Sequence, residues 1–232
     1  MNASADRPGR RRRRTHPVVT LTVLGAAVLV LTAALAGCGG SSASSTGVVN
    51  LDDAPKAAGL RGPELATPLP MPDIRLTDTA GRPYDVKAAT GGKLTFVYFG
   101  YTHCPDVCPT TMADIARALD LVPAADRGRV AVVFITTDPD RDTGPVIRSW
   151  LDQFNPSFVG LRGPLAQVAD YAGQLGVPLA APQRQADGTV TVDHGAQVTA
   201  FSPDGTARTV YLANTQVEDY AHDIPLLLKE TQ

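Results

Sequence analysis

FGYTHCPDVCPTTM, residues 99–112, joins the apolar run KLTFVYFG (93–100) to a segment with helical periodicity. Two cysteines, Cys104 and Cys108, stand four positions apart in it, and each is followed by proline. Pro105 disfavours helical geometry at Cys104, which places that residue in the loop leaving the strand. Pro109 has no N–H to donate and suits the first position of a new helix, so a helix is expected from about Pro109 to Val122 with Cys108 near its N-terminus. Met112, Ile115, Ala116, Leu119 and Val122 would then share one face.

Working outward, KLTFVYFG and RVAVVFITT (129–137) are continuous apolar runs, as central strands covered on both faces require. Strand, helix and strand of these lengths imply a parallel pair. IRLTDTAGRPYDV (74–86) reads as a short N-terminal hairpin about Ala80 and Gly81. Further helices are expected at 144–153, capped by Asp142 or Thr143, at 165–175 and at 217–229. QVTAFSPDGTARTVYLA (197–213) reads as a hairpin with Pro203 and Gly205 in its turn. The expectation is an α/β fold, a thioredoxin-like mixed sheet with helices on both faces.

The N-terminal end has a different character. RRRRTH (11–16) precedes a nearly uncharged apolar run, Pro17 to Leu35, which LAGC (35–38) closes with small residues. That order describes an export signal, with an uncleaved membrane anchor as the alternative. Leu35 to Cys38 resembles the lipobox of bacterial lipoproteins, in which the cysteine receives lipid and becomes the first mature residue. Three segments follow from this reading: a signal peptide over 1–37, a lipidated Cys38 with a Gly-, Ser-, Ala- and Pro-rich tether over 38–70, and a folded domain over 71–232. As a flexible coil the tether would reach roughly 30 Å.

With Cys38 assigned to lipid, Cys104 and Cys108 are the only thiols left to the domain. Removal of residues 1–37 takes the chain from 21 basic and 23 acidic residues to 15 and 22. Such an acidic domain has no electrostatic footprint for nucleic acid.

A thiolate at a helix start is both a nucleophile and a soft-metal ligand, so the pair alone leaves a redox couple, a metal clamp and a structural staple open. A metal site needs a third donor. His103 adjoins Cys104, and its side chain would point away from its neighbour's. His222 falls on the solvent face of the last expected helix. His194 shares parity with Val190 and Val192 in TVTVDHGAQV (189–198), which directs it inward. Two cysteines and a histidine lack the four protein ligands of structural zinc. Three-coordinate thiolate and imidazole ligation suits copper, above all Cu(I), with Cu(II) as a second state.

YTHCPDVCP (101–109), TTDPDRDT (136–143), VDHG (192–195) and SPDG (202–205) together resemble the Sco/SenC family of copper chaperones for cytochrome c oxidase assembly. The resemblance runs from about Pro72 onward and implies a thioredoxin-like fold with copper held by Cys104, Cys108 and His194. It implies a role without catalytic turnover on the extracytoplasmic face of a bacterial membrane, where a lipid anchor holds the protein. Its implied partners are the copper-bearing subunit of the oxidase and another copper chaperone or a thiol reductase. Asp106 matches the motif and would serve partner contact or tuning of the site. Gly195 departs from the serine usual at that place, and VTAF (198–201) from the commoner hairpin pattern. VCPTTM (107–112) also resembles the peroxidatic segment of peroxiredoxins, which keeps a thiol peroxidase or thiol-disulfide oxidoreductase as the alternative function.

Other motifs carry less. DPDRDTG (138–144) alternates Asp138, Asp140 and Asp142 as a calcium loop does, but it has Thr143 and Ser149 where that loop needs Gly and Glu. Helix capping and a surface loop account for it. TGGK (90–93) is followed by Leu94 where a phosphate loop needs Ser or Thr. Trp150 reads as a packing residue.

Overall fold

The computed structural model describes residues 59–186 and 190–230. In chain order the elements are β1 (Glu64–Pro70), β2 (Arg75–Asp78), β3 (Pro83–Asp85), α1 (Val86–Thr90), β4 (Leu94–Gly100), α2 (Val107–Leu121), α3 (Ala124–Arg127) and β5 (Val130–Thr136). There follow α4 (Gly144–Leu151), β6 (Val159–Arg162), α5 (Leu165–Gln174), β7 (Gln183–Arg184), β8 (Val190–Thr191), β9 (Val198–Phe201), β10 (Thr206–Tyr211) and α6 (Val217–Leu227).

Every residue of β4 is buried, because strands flank it on both edges and helices cover both its faces. β5 pairs with it in parallel, Leu94 opposite Val130, and β9 pairs antiparallel, Tyr98 opposite Val198. The full sheet has eight strands in the order β1-β10-β9-β4-β5-β6-β2-β3, while β7 and β8 form a separate pair. Alternation along β4 sorts the core into two layers. Phe96 and Tyr98 meet Met112 and Ile115 of α2, Ile147 and Leu151 of α4, and Tyr220 and Ile224 of α6. Val97 and Phe99 meet Val86 of α1 and Val168, Tyr171 and Ala172 of α5. This is the thioredoxin-like arrangement, a mixed sheet with helices on both faces.

The hairpin of β2 and β3 turns at Gly81, whose φ of 80° only glycine adopts without strain. Asp78 accepts hydrogen bonds from the Ala80 and Arg82 amides, each at 2.9 Å, and thereby closes the turn. Its other edge extends the sheet at β6.

The expected tether boundary at residue 70 needs correction. Residues 64–70 are strand β1, paired antiparallel with β10, so the folded region begins before Met71. The segment ahead of β1 is held as well. Buried Asp223 on α6 accepts from the amides of Arg61 and Gly62 and from the Tyr211 hydroxyl. Proline at 63, 68 and 70 gives this strand the look of a linker, yet an edge strand tolerates proline wherever an N–H faces outward. The signal peptide, Cys38 and the tether as far as residue 58 lie outside the described residues.

Two expectations about loops also change. Helix α2 starts two residues before Pro109, since the first helical N–H groups have no partner within the helix and proline fits the third position as well as the first. The 138–142 segment is a surface loop only in part: Asp140 is exposed, whereas Asp138 and Asp142 are both buried. Asp138 is bonded to Arg141, and Arg162 reaches the carbonyls of Pro139 and Asp142.

Candidate metal centre

Strand β4 ends at Gly100 and releases the loop 101–106, which carries Cys104 over the sheet's end and delivers Cys108 into the first turn of α2. His194 arrives from the other side of the sheet order. It follows β8, forms an isolated bridge with Leu179 and precedes β9, the neighbour of β4. One ligand atom from each of Cys104, Cys108 and His194 lies within 4.8 Å of the others. His194 Nε2 is 3.5 Å from Cys108 Sγ although 86 positions separate the residues.

The ring of His194 is set by its other nitrogen. Nδ1 lies 3.0 Å from the Gly195 carbonyl, to which its N–H donates, and Nε2 faces the sulfurs. Edge contacts from Tyr98 and Tyr101, at 6.2 and 5.7 Å between ring centroids, hold the plane. Gly195 is required by crowding: a Cβ there would stand 2.8 Å from Pro178 Cδ, and the Gly195 N–H donates to the Pro178 carbonyl at 2.7 Å. The departure from serine at this position is thus explained by a close approach of the 178 turn.

The two sulfurs are unequal, and in the opposite sense to that expected from helix position. Cys104 is pulled down to about 3, first by the Cys108 thiol that donates to it, then by His194 and by the backbone N–H groups of Asp106 and Cys108. Cys108 is pushed far above the usual thiol range, first by that same shared proton and then by burial. The free N–H groups of a helix point along its axis toward the preceding loop. They therefore serve Cys104, with the Cys108 N–H at 3.4 Å from its sulfur, while Cys108 Sγ turns inward. Cys108 instead accepts from the Tyr98 hydroxyl at 3.4 Å. The resting reduced pair is a thiolate at Cys104 and a thiol at Cys108.

Residues that sequence reasoning missed complete the site. Tyr98 is one, and its place at the end of a strand beneath the cysteine loop was the signal available. Gly100 is another: a Cβ there would lie 2.8 Å from the Tyr98 ring, 3.0 Å from Cys108 Sγ and 3.1 Å from the Phe134 ring. All three neighbours are fully buried, so Gly100→Ala is expected to cost about 1–3 kcal/mol by overpacking, measured by urea unfolding of the reduced protein.

Asp106, the N-cap of α2, makes no side-chain capping bond and is exposed beside the loop. Its contribution to the site is the backbone N–H on Cys104. His103 stands outside the ligand cluster with its side chain half exposed. His222 is at the partly exposed side of α6, where its Nδ1 lies 2.8 Å from Asp223. Trp150 packs between Phe134 and Phe154, each at 4.9 Å.

A thioredoxin-like sheet with two cysteines at the start of its first long helix and a histidine closing on them defines a thiol-based metal-binding class. Three donors, two sulfur and one nitrogen, fit a soft ion of low coordination number and fall one short of structural zinc.

The SCO1/SenC family profile matches residues 66–229, and the chain belongs to that family. The mouse "Protein SCO2 homolog, mitochondrial" is 33% identical over 155 residues, 66% of this chain and 60% of the mouse protein, so the match spans less than two thirds of that relative. The solved structure "Bradyrhizobium japonicum ScoI with copper bound" is 32% identical with a TM-score of 0.61, covering 69% of this chain and 99% of that one. The apo Sco1 protein of Thermus thermophilus is 31% identical with a TM-score of 0.66, covering 75% and 100%.

Proposed function

We propose that this protein is a copper chaperone, held on the outer face of a bacterial membrane by lipid on Cys38, that delivers copper to the binuclear centre of cytochrome c oxidase. The observation that carries the reading is the closure of Cys104, Cys108 and His194 into one donor set from distant parts of the chain. Two thiolates and an imidazole satisfy Cu(I) in three-coordinate geometry. The ion would move to the partner by exchange of one ligand at a time, so it is never free. Copper loading tests this: the reduced protein is expected to bind one equivalent of Cu(I), and the Cys104–Cys108 disulfide form none. Equal binding by both forms would refute the site.

Thiol-disulfide exchange is the second reading, favoured by the stabilised thiolate at Cys104 and its position outside the buried Cys108. His194→Ala separates the two. It is expected to weaken Cu(I) binding by about 100-fold while leaving exchange with a small disulfide within about twofold of wild type. Loss of both activities together would favour the thiol enzyme.

A further inference from the structure

Tyr98 is fully buried, and a hydroxyl sealed in an apolar layer is costly unless it is bonded. This one donates to Cys108 Sγ at 3.4 Å. The phenol is held from several sides. In the sheet Tyr98 stands between Phe134 of β5 and Val198 of β9, and its ring centroid lies 6.3 Å from that of Phe134 and 6.2 Å from that of His194. Gly100 provides the room, since a Cβ there would stand 2.8 Å from the Tyr98 ring and 3.0 Å from Cys108 Sγ. One side chain thus meets two of the three donors, Cys108 through its hydroxyl and His194 through its ring.

Both sulfurs accept a hydrogen bond, by different means. Cys104 takes the Cys108 N–H at 3.4 Å, a backbone donor, whereas the donor on Cys108 belongs to a side chain. Hydrogen bonding around a cysteine sulfur is one of the levers that set the redox potential of a copper site. A donor on the sulfur draws electron density from it and weakens its bond to a metal. Cu(II), with the higher charge, relies more on that density than Cu(I) and loses more.

Resting on the copper reading above, we propose that Tyr98, acting through Cys108, biases the site toward Cu(I) over Cu(II). The hydroxyl is no ligand. It sets the ratio of the two affinities, while the ring supplies packing that both ions share.

The test is anaerobic competition on the full-length reduced protein, with bicinchoninate for Cu(I) and nitrilotriacetate for Cu(II). Tyr98→Phe keeps the ring and removes the donor. It is expected to shift the ratio of Cu(I) to Cu(II) affinity about tenfold toward Cu(II), equivalent to about 59 mV in the potential of the bound copper, and to move the sulfur-to-Cu(II) charge-transfer band to longer wavelength. Tyr98→3-fluorotyrosine makes the hydroxyl a stronger donor, so the ratio should move the other way; this variant carries the test if Tyr98→Phe does not fold. A ratio unchanged in Tyr98→Phe, or moved toward Cu(I), overturns the proposal. An equal fall in both affinities also overturns it, because packing alone would produce that result. A fluorotyrosine variant whose ratio stays put or moves toward Cu(II) does the same. A wild-type protein that binds neither ion refutes the copper site itself, a result separate from any of these.

Discussion

Cys108→Ser is expected to lower Cu(I) affinity about a thousandfold, roughly 4 kcal/mol, because a soft sulfur donor becomes a hydroxyl and leaves two ligands. Competition with a chromophoric Cu(I) chelator measures it, and a loss under tenfold would sink the three-donor site. The inequality of the sulfurs adds a pH signature. Cys104 already rests as thiolate, held down to about 3, while Cys108 keeps its proton far past neutrality. Between about pH 7 and 8, loading therefore releases about one proton per copper, from Cys108, and apparent affinity rises about tenfold per pH unit. Two ordinary thiols would release two and give a steeper slope.

Asp223→Ala is expected to destabilise the fold by about 3 kcal/mol, since it strips the acceptor from several buried donors at once. Asp223 is fully buried, accepts from the amides of Arg61 and Gly62 at about 3 Å, and takes the Tyr211 hydroxyl at 3.1 Å. The loss has an address. The segment before β1 would come free, so hydrogen exchange at Arg61, Gly62 and Val210, whose N–H donates to the Pro63 carbonyl, should accelerate while β4 stays protected. Asp223→Asn, which keeps one acceptor oxygen, should lose less. Unchanged exchange at 61 and 62 in Asp223→Ala would show that β1 holds by strand pairing alone.

Much of the architecture was legible because local chemistry decides it. Continuous apolar runs mark β4 and β5, which are buried on both faces, and their pairing is parallel as the intervening helix requires. The hairpins declared themselves through turn residues, Gly81 in one and Gly205 in the other, both with positive φ. β1 was hidden because its prolines have the composition of a linker, and only its pairing with β10 shows that the segment is the edge strand of the sheet. Asp138 and Asp142 resembled a solvated loop because burial of a carboxylate depends on donors that come from elsewhere, here Thr102 and Thr136 for Asp142.

The sequence by itself determined which residues are in play: Cys104 in a loop, Cys108 in a helix start, and His194 at the same parity as Val190 and Val192 in the extended run that leads to it. Those are consequences of proline geometry and of the two-residue strand repeat, which act within a few positions. Only the tertiary structure decided how they act. It brought His194 within 3.5 Å of Cys108 by setting β9 beside β4, and it aimed the N–H groups of α2 at Cys104 and not at Cys108. It also placed Asp142 behind His103. Distance and direction between remote side chains depend on sheet order and helix axis, and those quantities exist only once the chain has closed on itself.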